Sequence, residues 1–424
     1  MFLTNARTNC IKIFLISYRL LPFNLSSLTC SSIFKSGSIL GNPFVFKKNY
    51  CQNMLDHVYV GTRVVSYQKL VPNGKGGMTR ETVTETLTAR LTKPVPNYFY
   101  DTILIYGNEA APRLSFSRVP TKVNSMNEKQ IERYVKGFDK DLDKMVKKSV
   151  SKGGNFTRLA NEEFEALFNA LDRDNETEFR LLFTPLAQRN MCTLLKDKEV
   201  GYGDDFEFVK KKMLNYIRSE HLQGSNIFDI DPKELQCFDF TKAKDVFVGY
   251  CDRFFKEVYF AFSPLLCVPI YQQQKTSEYI YKNKYKNNVT QEEAECAANA
   301  QNMSLFSHPA TRSLGVILKS KFNRAQDKAD ICTITAHSFS GTDRVTLVPV
   351  MAGNGKFYDV PVSWVEYNRI SKDSQMLVGD SETNLPGFKA LYETGKFNKM
   401  IGNLDTSNGI IYKKRLFSFV LKDK

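Results

Sequence analysis

Tyr202-Gly203-Asp204-Asp205 is the stretch whose residue types most directly invite a catalytic reading. Adjacent carboxylates on a tight turn can hold divalent metal ions for nucleotidyl transfer. The surroundings read otherwise. Lys196-Asp197-Lys198-Glu199 precedes it where an apolar strand would be needed, and Asp172 and Asp174 stand too near in the chain to supply the usual partner carboxylate. The stretch reads as a polar turn before a strand, and a metal-dependent enzyme acting on nucleic acid or nucleotides through Asp204 and Asp205 stays open as the alternative.

The other candidates fail on spacing. Asp172-Arg173-Asp174-Asn175-Glu176-Thr177-Glu178 starts like a calcium loop, but Thr177 stands where glycine is required and Phe183 where the bidentate glutamate is required. Gly74-Lys75-Gly76-Gly77 lacks the spacing that lets backbone amides cradle a phosphate and reads as a hairpin turn. The four histidines, His57, His221, His308 and His337, form no zinc pattern, and His337 reads as a structural residue on a strand. No G-x-S-x-G elbow is present. Nine cysteines are scattered without a C-x-x-C pair, several in apolar company such as Leu265-Leu266-Cys267-Val268, so they read as small buried hydrophobes in a reducing compartment. No catalytic, cofactor-binding or metal residue is therefore assigned, no cofactor is expected, and the chain reads as non-enzymatic.

The elements that would position these residues follow from periodicity. Residues 58–71 are rich in β-branched types, and after the turn at 73–77 a second strand alternates Val83, Leu87, Ala89 and Leu91 against Thr82, Thr84, Thr86, Thr88 and Arg90. Pro94 and Pro96 are expected to close this hairpin, with short strands at 102–106 and 113–119. Ser125 with Glu128 has the form of a capping box opening a helix that Gly153-Gly154 ends. A helix over 162–171, a strand over 178–183, a helix from Thr184-Pro185 to about residue 195, a strand over 206–209 and a helix over 210–221 follow. Aromatics at 247, 250, 254 and 262 with Val258 recur at helical spacing and read as a core stripe over 242–262. Thr290 with Glu293 caps a further helix, and strands at 331–338, 344–350, 356–366 and 410–421 close the chain, with Gly353-Asn354-Gly355 as a hairpin turn. The fold class is α+β, with antiparallel strands at both ends and a mainly helical middle.

Charge divides the chain differently. Residues 1–55 contain no acid and hold Arg7, Lys12, Arg19, Lys35, Lys47 and Lys48, whereas acids and bases intermingle from Asp56 onward. This segment reads as a targeting leader, a membrane-surface segment or a mis-assigned start. Lys12 and Arg19 leave it no uncharged apolar span of 18 residues. The expected organisation is a non-globular leader over 1–55, a β-hairpin-rich segment over 56–120, an α+β core over 121–320 and a β-rich segment over 321–424. The formal net charge of +14 has no run of bases to focus it. Lys282, Lys284 and Lys286 among tyrosines are the densest cluster, and they read as a solvated loop, so nucleic acid is not the expected partner.

The stretch 164–188, with Glu178-Phe179-Arg180 and Thr184-Pro185, followed by 191–195 and Asp205-Phe206-Glu207-Phe208, resembles the core of a bacterial domain-of-unknown-function family whose members are membrane-anchored. Most of 56–379, including 259–266 and 269–273, is similar to uncharacterised mollicute (mycoplasma-type) proteins. The resemblance implies N-terminal membrane helices in relatives and brings no activity or site residue. It points to a membrane-associated binding or scaffolding protein, with a membrane surface or membrane protein as partner, on the cytoplasmic side of a bacterial cell membrane or, alternatively, in the cytoplasm.

Overall fold

The computed structural model describes residues 28–72, 77–151, 156–225, 228, 233, 236, 239–273, 289–323, 330–380, 410–412 and 416–421. The turn at 73–76, the helix stop at Gly153-Gly154 and the basic stretch at 281–287 lie outside them. In chain order the elements are β1 (Leu28–Ile39), β2 (Asn42–Pro72), β3 (Met78–Gly107), β4 (Ser115–Arg118), α1 (Glu128–Ser151), α2 (Glu162–Phe168), α3 (Glu176–Leu182), α4 (Pro185–Lys196), β5 (Phe206–Lys211), β6 (Leu214–Ser219), α5 (Phe240–Leu266), α6 (Pro269–Gln273), α7 (Gln291–Asn299), β7 (Ile317–Asn323), β8 (Asp330–Met351), β9 (Phe357–Asp380), β10 (Ile410–Tyr412) and β11 (Leu416–Val420). One sheet has the order β1-β2-β3-β6-β5-β4 and the other β10-β11-β9-β8-β7, and the class is α+β.

The described residues fall into two compact units with interleaved sequence. One comprises 31–49 and 100–290, the other 28–30, 50–99 and 291–424. The borders at 49, 99 and 290 replace the expected ones at 55, 120 and 320. Residues 28–55 are no free leader, because they form β1 and the start of β2, and β2 carries buried Phe44, Val45 and Phe46 into the first unit. Lys47 and Lys48 are buried there too, with Lys48 Nζ 4.3 Å from the Tyr100 ring centre.

The first unit packs its helices on the β6-β5-β4 part of its sheet around a phenylalanine cluster. Phe116 meets Phe168, Phe179, Phe183 and Phe208 at centroid distances of 5.7, 5.7, 5.8 and 5.1 Å. Three expected elements differ here. Residues 178–183 form helix α3 instead of a strand: Asn175 caps it by accepting from Glu178 N (3.0 Å), Phe179 and Leu182 turn inward, and Leu181 is 55% exposed. Residues 210–219 form no helix, and only a short 3-10 turn follows at Glu220–Leu222. The chain turns at Lys212, whose φ is 57°, so that Lys211 pairs with Leu214 and β5 runs antiparallel to β6. Both faces of that hairpin are covered, Phe206, Phe208 and Ile217 on one side and Val209 and Tyr216 on the other, which erases the alternation a strand otherwise shows. The capping box lies two residues later than expected, as a reciprocal pair between Asn127 and Gln130 at 2.9 and 3.0 Å. Thr184 caps α4 with Pro185 at its first position, as the spacing predicts.

In the second unit β3 runs on through Pro94 and Pro96, and β8 and β9 form one long hairpin closed by Ala352 to Lys356. Its inward face, with Val348, Val350, Ala352, Tyr358, Val360 and Val362, stacks on Tyr59, Val65, Leu87, Ala89 and Leu91 of the β2–β3 hairpin. Gly61 makes that approach possible, since a Cβ there would lie 2.2 Å from the Pro361 carbonyl oxygen.

Candidate functional site

The structure separates the two carboxylates of the 202–205 turn. Asp204 faces the interior, where Oδ1 accepts from the Arg118 guanidinium while Oδ2 accepts from Thr121 N (2.7 Å) and Thr121 Oγ1 (2.6 Å). Both side chains of the Arg118–Asp204 pair are fully buried. The remaining Arg118 nitrogens bind the Phe206 and Phe168 carbonyls at 2.7 and 3.3 Å. Burial lowers the Arg118 pKa, and the Asp204 charge opposes that shift. Gly203 holds φ +64° in the turn, with Asn124 Oδ1 2.3 Å from where a Cβ would stand. Asn124 itself bridges Asp204 N (2.8 Å) and Asp204 O (3.0 Å). Both carboxylate oxygens of Asp204 are thus engaged by donors from the protein.

Asp205 meets His221 instead. Its Oδ2 contacts Nδ1, and His221 Nε2 donates to the Glu257 carbonyl at 2.9 Å. A carbonyl only accepts, so that contact is a hydrogen bond when Nε2 carries the hydrogen. Tyr202 stacks on the imidazole at 4.1 Å with an interplanar angle of 5°, and Lys256 Nζ lies 5.1 Å from the Tyr202 ring centre. Burial, then the charges of Glu257 and Asp205, raise the Tyr202 hydroxyl pKa. Both nitrogens of the imidazole are engaged and its face is covered, which is the arrangement of a clamp between the turn and α5. Among the described residues no group of three or more His, Cys, Asp or Glu is placed to hold a metal ion.

The acidic turn at 172–178 has an equally definite role. β4 is an edge strand, and its outward N–H groups are capped in sequence, Ser115 N by Asp174 Oδ1 (2.6 Å) and Ser117 N by Asp172 Oδ1 (2.7 Å), as is Arg113 N just before it by Glu178 Oε2 (2.8 Å). Carboxylates that lie like a calcium loop in sequence therefore satisfy a strand edge and block strand addition there. Arg173, buried between the rings of Phe156 and Phe179 at 4.3 and 4.4 Å, ties the turn to Glu165 at 2.9 Å and Glu176 at 2.8 Å.

One group with strongly altered acidity went unread in the sequence. Lys210, fully buried in β5, donates to the carbonyls of Ala110 (3.0 Å) and Lys212 (2.5 Å), and burial pulls its pKa down to about 7. Nearby the Tyr271 carbonyl accepts from Tyr106 OH (3.0 Å), Asn108 Nδ2 (3.3 Å) and Asn42 Nδ2 (3.4 Å), and Tyr271 OH donates to Asn215 Oδ1 (2.6 Å). The cavity beside Tyr106 and Tyr271 is about 10 Å³, room for one water. This network is a pin for α6 with no space for a substrate. Burial pushes the thiols of Cys30, Cys192 and Cys267 up to about 11, about 12 and about 12, so they stay protonated and inert as nucleophiles near neutral pH. His337 on β8 has its pKa lowered by burial and by Lys319.

The surface offers what the interior does not. All buried residues of α5 lie from Glu257 to Leu265, and none of residues 240–256 is buried. The expected core stripe is thus buried only at Val258 and Phe262, with Phe254 partly buried against the core, while Phe247 is 54% exposed, Phe255 64% and Tyr259 59%. With Phe240, Val246 and Val248 also exposed, the apolar residues of this half cover roughly 200° of the helix, at 100° per residue. Lys242, Arg253 and Lys256, with Asp245 and Asp252, occupy the remainder, and Lys244 interrupts the apolar arc. Where α5 approaches α4, a groove of about 390 Å³ is lined by residues that include Thr193, Leu194, Asp197, Tyr259, Phe260 and Cys267. No described helix is long and apolar enough to cross a membrane. Compared with models of protein families, with curated proteins and with solved structures, the chain matches none.

Proposed function

We propose that the protein is a non-enzymatic binding module that docks on an anionic membrane surface, at the cytoplasmic face of a bacterial membrane, through the N-terminal half of α5. The carrying observation is that half-helix: a wide exposed apolar arc containing Phe240, Phe247, Phe255 and Tyr259, together with Lys242, Lys244, Arg253 and Lys256. A helix with an apolar arc and accompanying bases lies in the interface plane, its apolar face among the headgroups and first acyl carbons and its bases against anionic lipid. The net charge of +14 adds attraction at long range.

The test is co-sedimentation of the full chain with vesicles of phosphatidylcholine, with and without phosphatidylserine. Binding is expected to require the anionic lipid, to weaken with salt, and to fall at least tenfold in Phe247→Asp plus Phe255→Asp, with the thermal midpoint unchanged because both side chains are exposed. A chain that stays in the supernatant at every composition sinks the proposal.

A further inference from the structure

Along α5 the change from unburied to buried happens within one turn of helix. None of residues 240–256 is buried, and Glu257 and Val258 are the first that are. Contacts from the rest of the first unit converge on that turn: His221 Nε2 meets the Glu257 carbonyl at 2.9 Å, Ser225 Oγ donates to Glu257 Oε2 at 2.6 Å, and Tyr202 meets Phe260 edge-on at 5.6 Å. Lys256 Nζ adds its approach to the Tyr202 ring at 5.1 Å. The exposed half of α5, with Phe247 and Phe255, therefore has its root at His221.

The chemistry at the two ends of the imidazole sets this contact apart. Nδ1 faces the Asp205 carboxylate and Nε2 faces a backbone carbonyl. Neither an ionised carboxylate nor a carbonyl has a hydrogen to give, so a neutral ring, with its single N–H, bonds one of them and turns a lone pair on the other. Only the imidazolium donates to both. The surrounding charged and titratable groups do not stand in for that second hydrogen. Asp204 is spent on Arg118 and Thr121, the Glu257 carboxylate accepts from Ser225, Lys256 approaches the Tyr202 ring, Tyr202 covers the imidazole with its face, and Glu220 is exposed. The His221 side chain is 4% exposed, which leaves water little access to the ring. We infer that His221 is a proton-operated latch at the root of the exposed half of α5, whole when the imidazole is charged and short of one hydrogen bond when it is neutral. Histidine is the side chain that makes this change within the physiological pH range. The consequence for lipid rests on the membrane-surface reading above: a half-helix held at its root is preorganised for the interface, so docking weakens as pH rises through the imidazole titration.

Two conservative substitutions separate a latch from a merely structural contact. In Asp205→Asn the side-chain amide gives a hydrogen to Nδ1 while Nε2–H still reaches the Glu257 carbonyl, so the neutral ring is bonded at both ends. His221→Gln keeps a donor toward that carbonyl and has no titrating group. In the full chain, amide-exchange protection of residues 257–261 is followed from about pH 5.5 to about pH 8.5, together with sedimentation on vesicles of phosphatidylcholine and phosphatidylserine. Parent protection is expected to fall about fivefold across that range, the worth of one net hydrogen bond, and to stay within about twofold in both variants. Parent vesicle binding is expected to fall by a similar factor beyond any change seen in Asp205→Asn. Parallel protection profiles in the parent and Asp205→Asn overturn the latch, whatever the vesicles do. A parent that loses protection with rising pH yet sediments with vesicles at no pH keeps the latch and removes the α5 docking reading. Lost protection with undiminished binding overturns the lipid consequence. Should Asp205→Asn fold poorly, the ring ¹⁵N signals of His221, identified by their absence in His221→Gln, decide instead: passage from two protonated nitrogens to one across the range supports the latch, and a ring of unchanged charge overturns it.

Discussion

In the first unit Arg118, Arg173 and Lys210 are all buried, each held by carboxylates or carbonyls, whereas the β2–β3 and β8–β9 hairpins of the second unit meet through Val65, Leu87, Ala89, Val360 and Val362 and a glycine. A buried cation must have its full set of acceptors, so the first interior is specified by pairing. The stacked hairpins meet through apolar side chains at close approach, with Arg63 donating to the Asp359 carbonyl (2.7 Å) and Glu85 accepting from Gly353 N (3.0 Å). The contrast teaches that residues with the look of chemistry in this chain are absorbed by packing, and that the unabsorbed surfaces are those with no chemistry at all.

The largest effect that would break the contrast is loss of one partner of a buried pair. Asp204→Ala leaves Arg118 buried and uncompensated and is expected to cost about 3–5 kcal/mol in urea unfolding, while Arg118→Met with Asp204→Leu recovers most of it. A parent chain that gives a metal-dependent heat with Mg²⁺ or Mn²⁺, lost in Asp204→Ala without a loss of stability, would restore the enzymatic alternative.

The corresponding change in the hairpin stack is Gly61→Ala. Its Cβ meets the Pro361 backbone, which cannot swing away, and the expected cost is about 1–3 kcal/mol. Gly249→Ala, on an open part of α5, is the control and should be neutral or stabilising by up to about 1 kcal/mol.

Lys210 sharpens the comparison through pH. Burial sets its folded-state pKa at about 7, against 10.5 for the ordinary amine. Between these values the unfolded chain holds a proton that the folded chain has released, so stability rises with pH across that window by up to about 1.4 kcal/mol per unit, and the full penalty stands below pH 7. Lys210→Met is expected to abolish that slope in urea midpoints from pH 7 to 10, whatever its own cost at a single pH.

Smaller still is Asp172→Ala, which uncaps Ser117 N at the β4 edge and should cost about 1 kcal/mol. Smallest is Phe255→Ser on α5, expected within about 0.5 kcal/mol of the parent in stability while vesicle binding falls.

Sequence reasoning reached the class, the Thr184-Pro185 helix start and the alternation along β3. It failed where burial removes the cue. The β5–β6 hairpin is covered on both faces and so shows no period of two, and 178–183 alternates in sequence yet obeys the Asn175 cap. Lys210 gave no signal, because a lysine between Val209 and Lys211 looks solvated until the fold encloses it. The exposed half of α5 was hidden by the opposite error, since aromatics at helical spacing look the same whether a core or something external covers them.

The interleaving of the two units also fixes a schedule. During synthesis at roughly 5–20 residues per second, the β2–β3 hairpin leaves the ribosome on the order of tens of seconds before the β8–β9 residues it stacks against. Through that interval Tyr59, Val65, Leu87 and Leu91 have no native cover, so the nascent chain presents a sticky hairpin face to whatever holds it. Chaperone demand in this protein should accordingly depend on translation speed between residues 100 and 340 more than on the final stability of either unit.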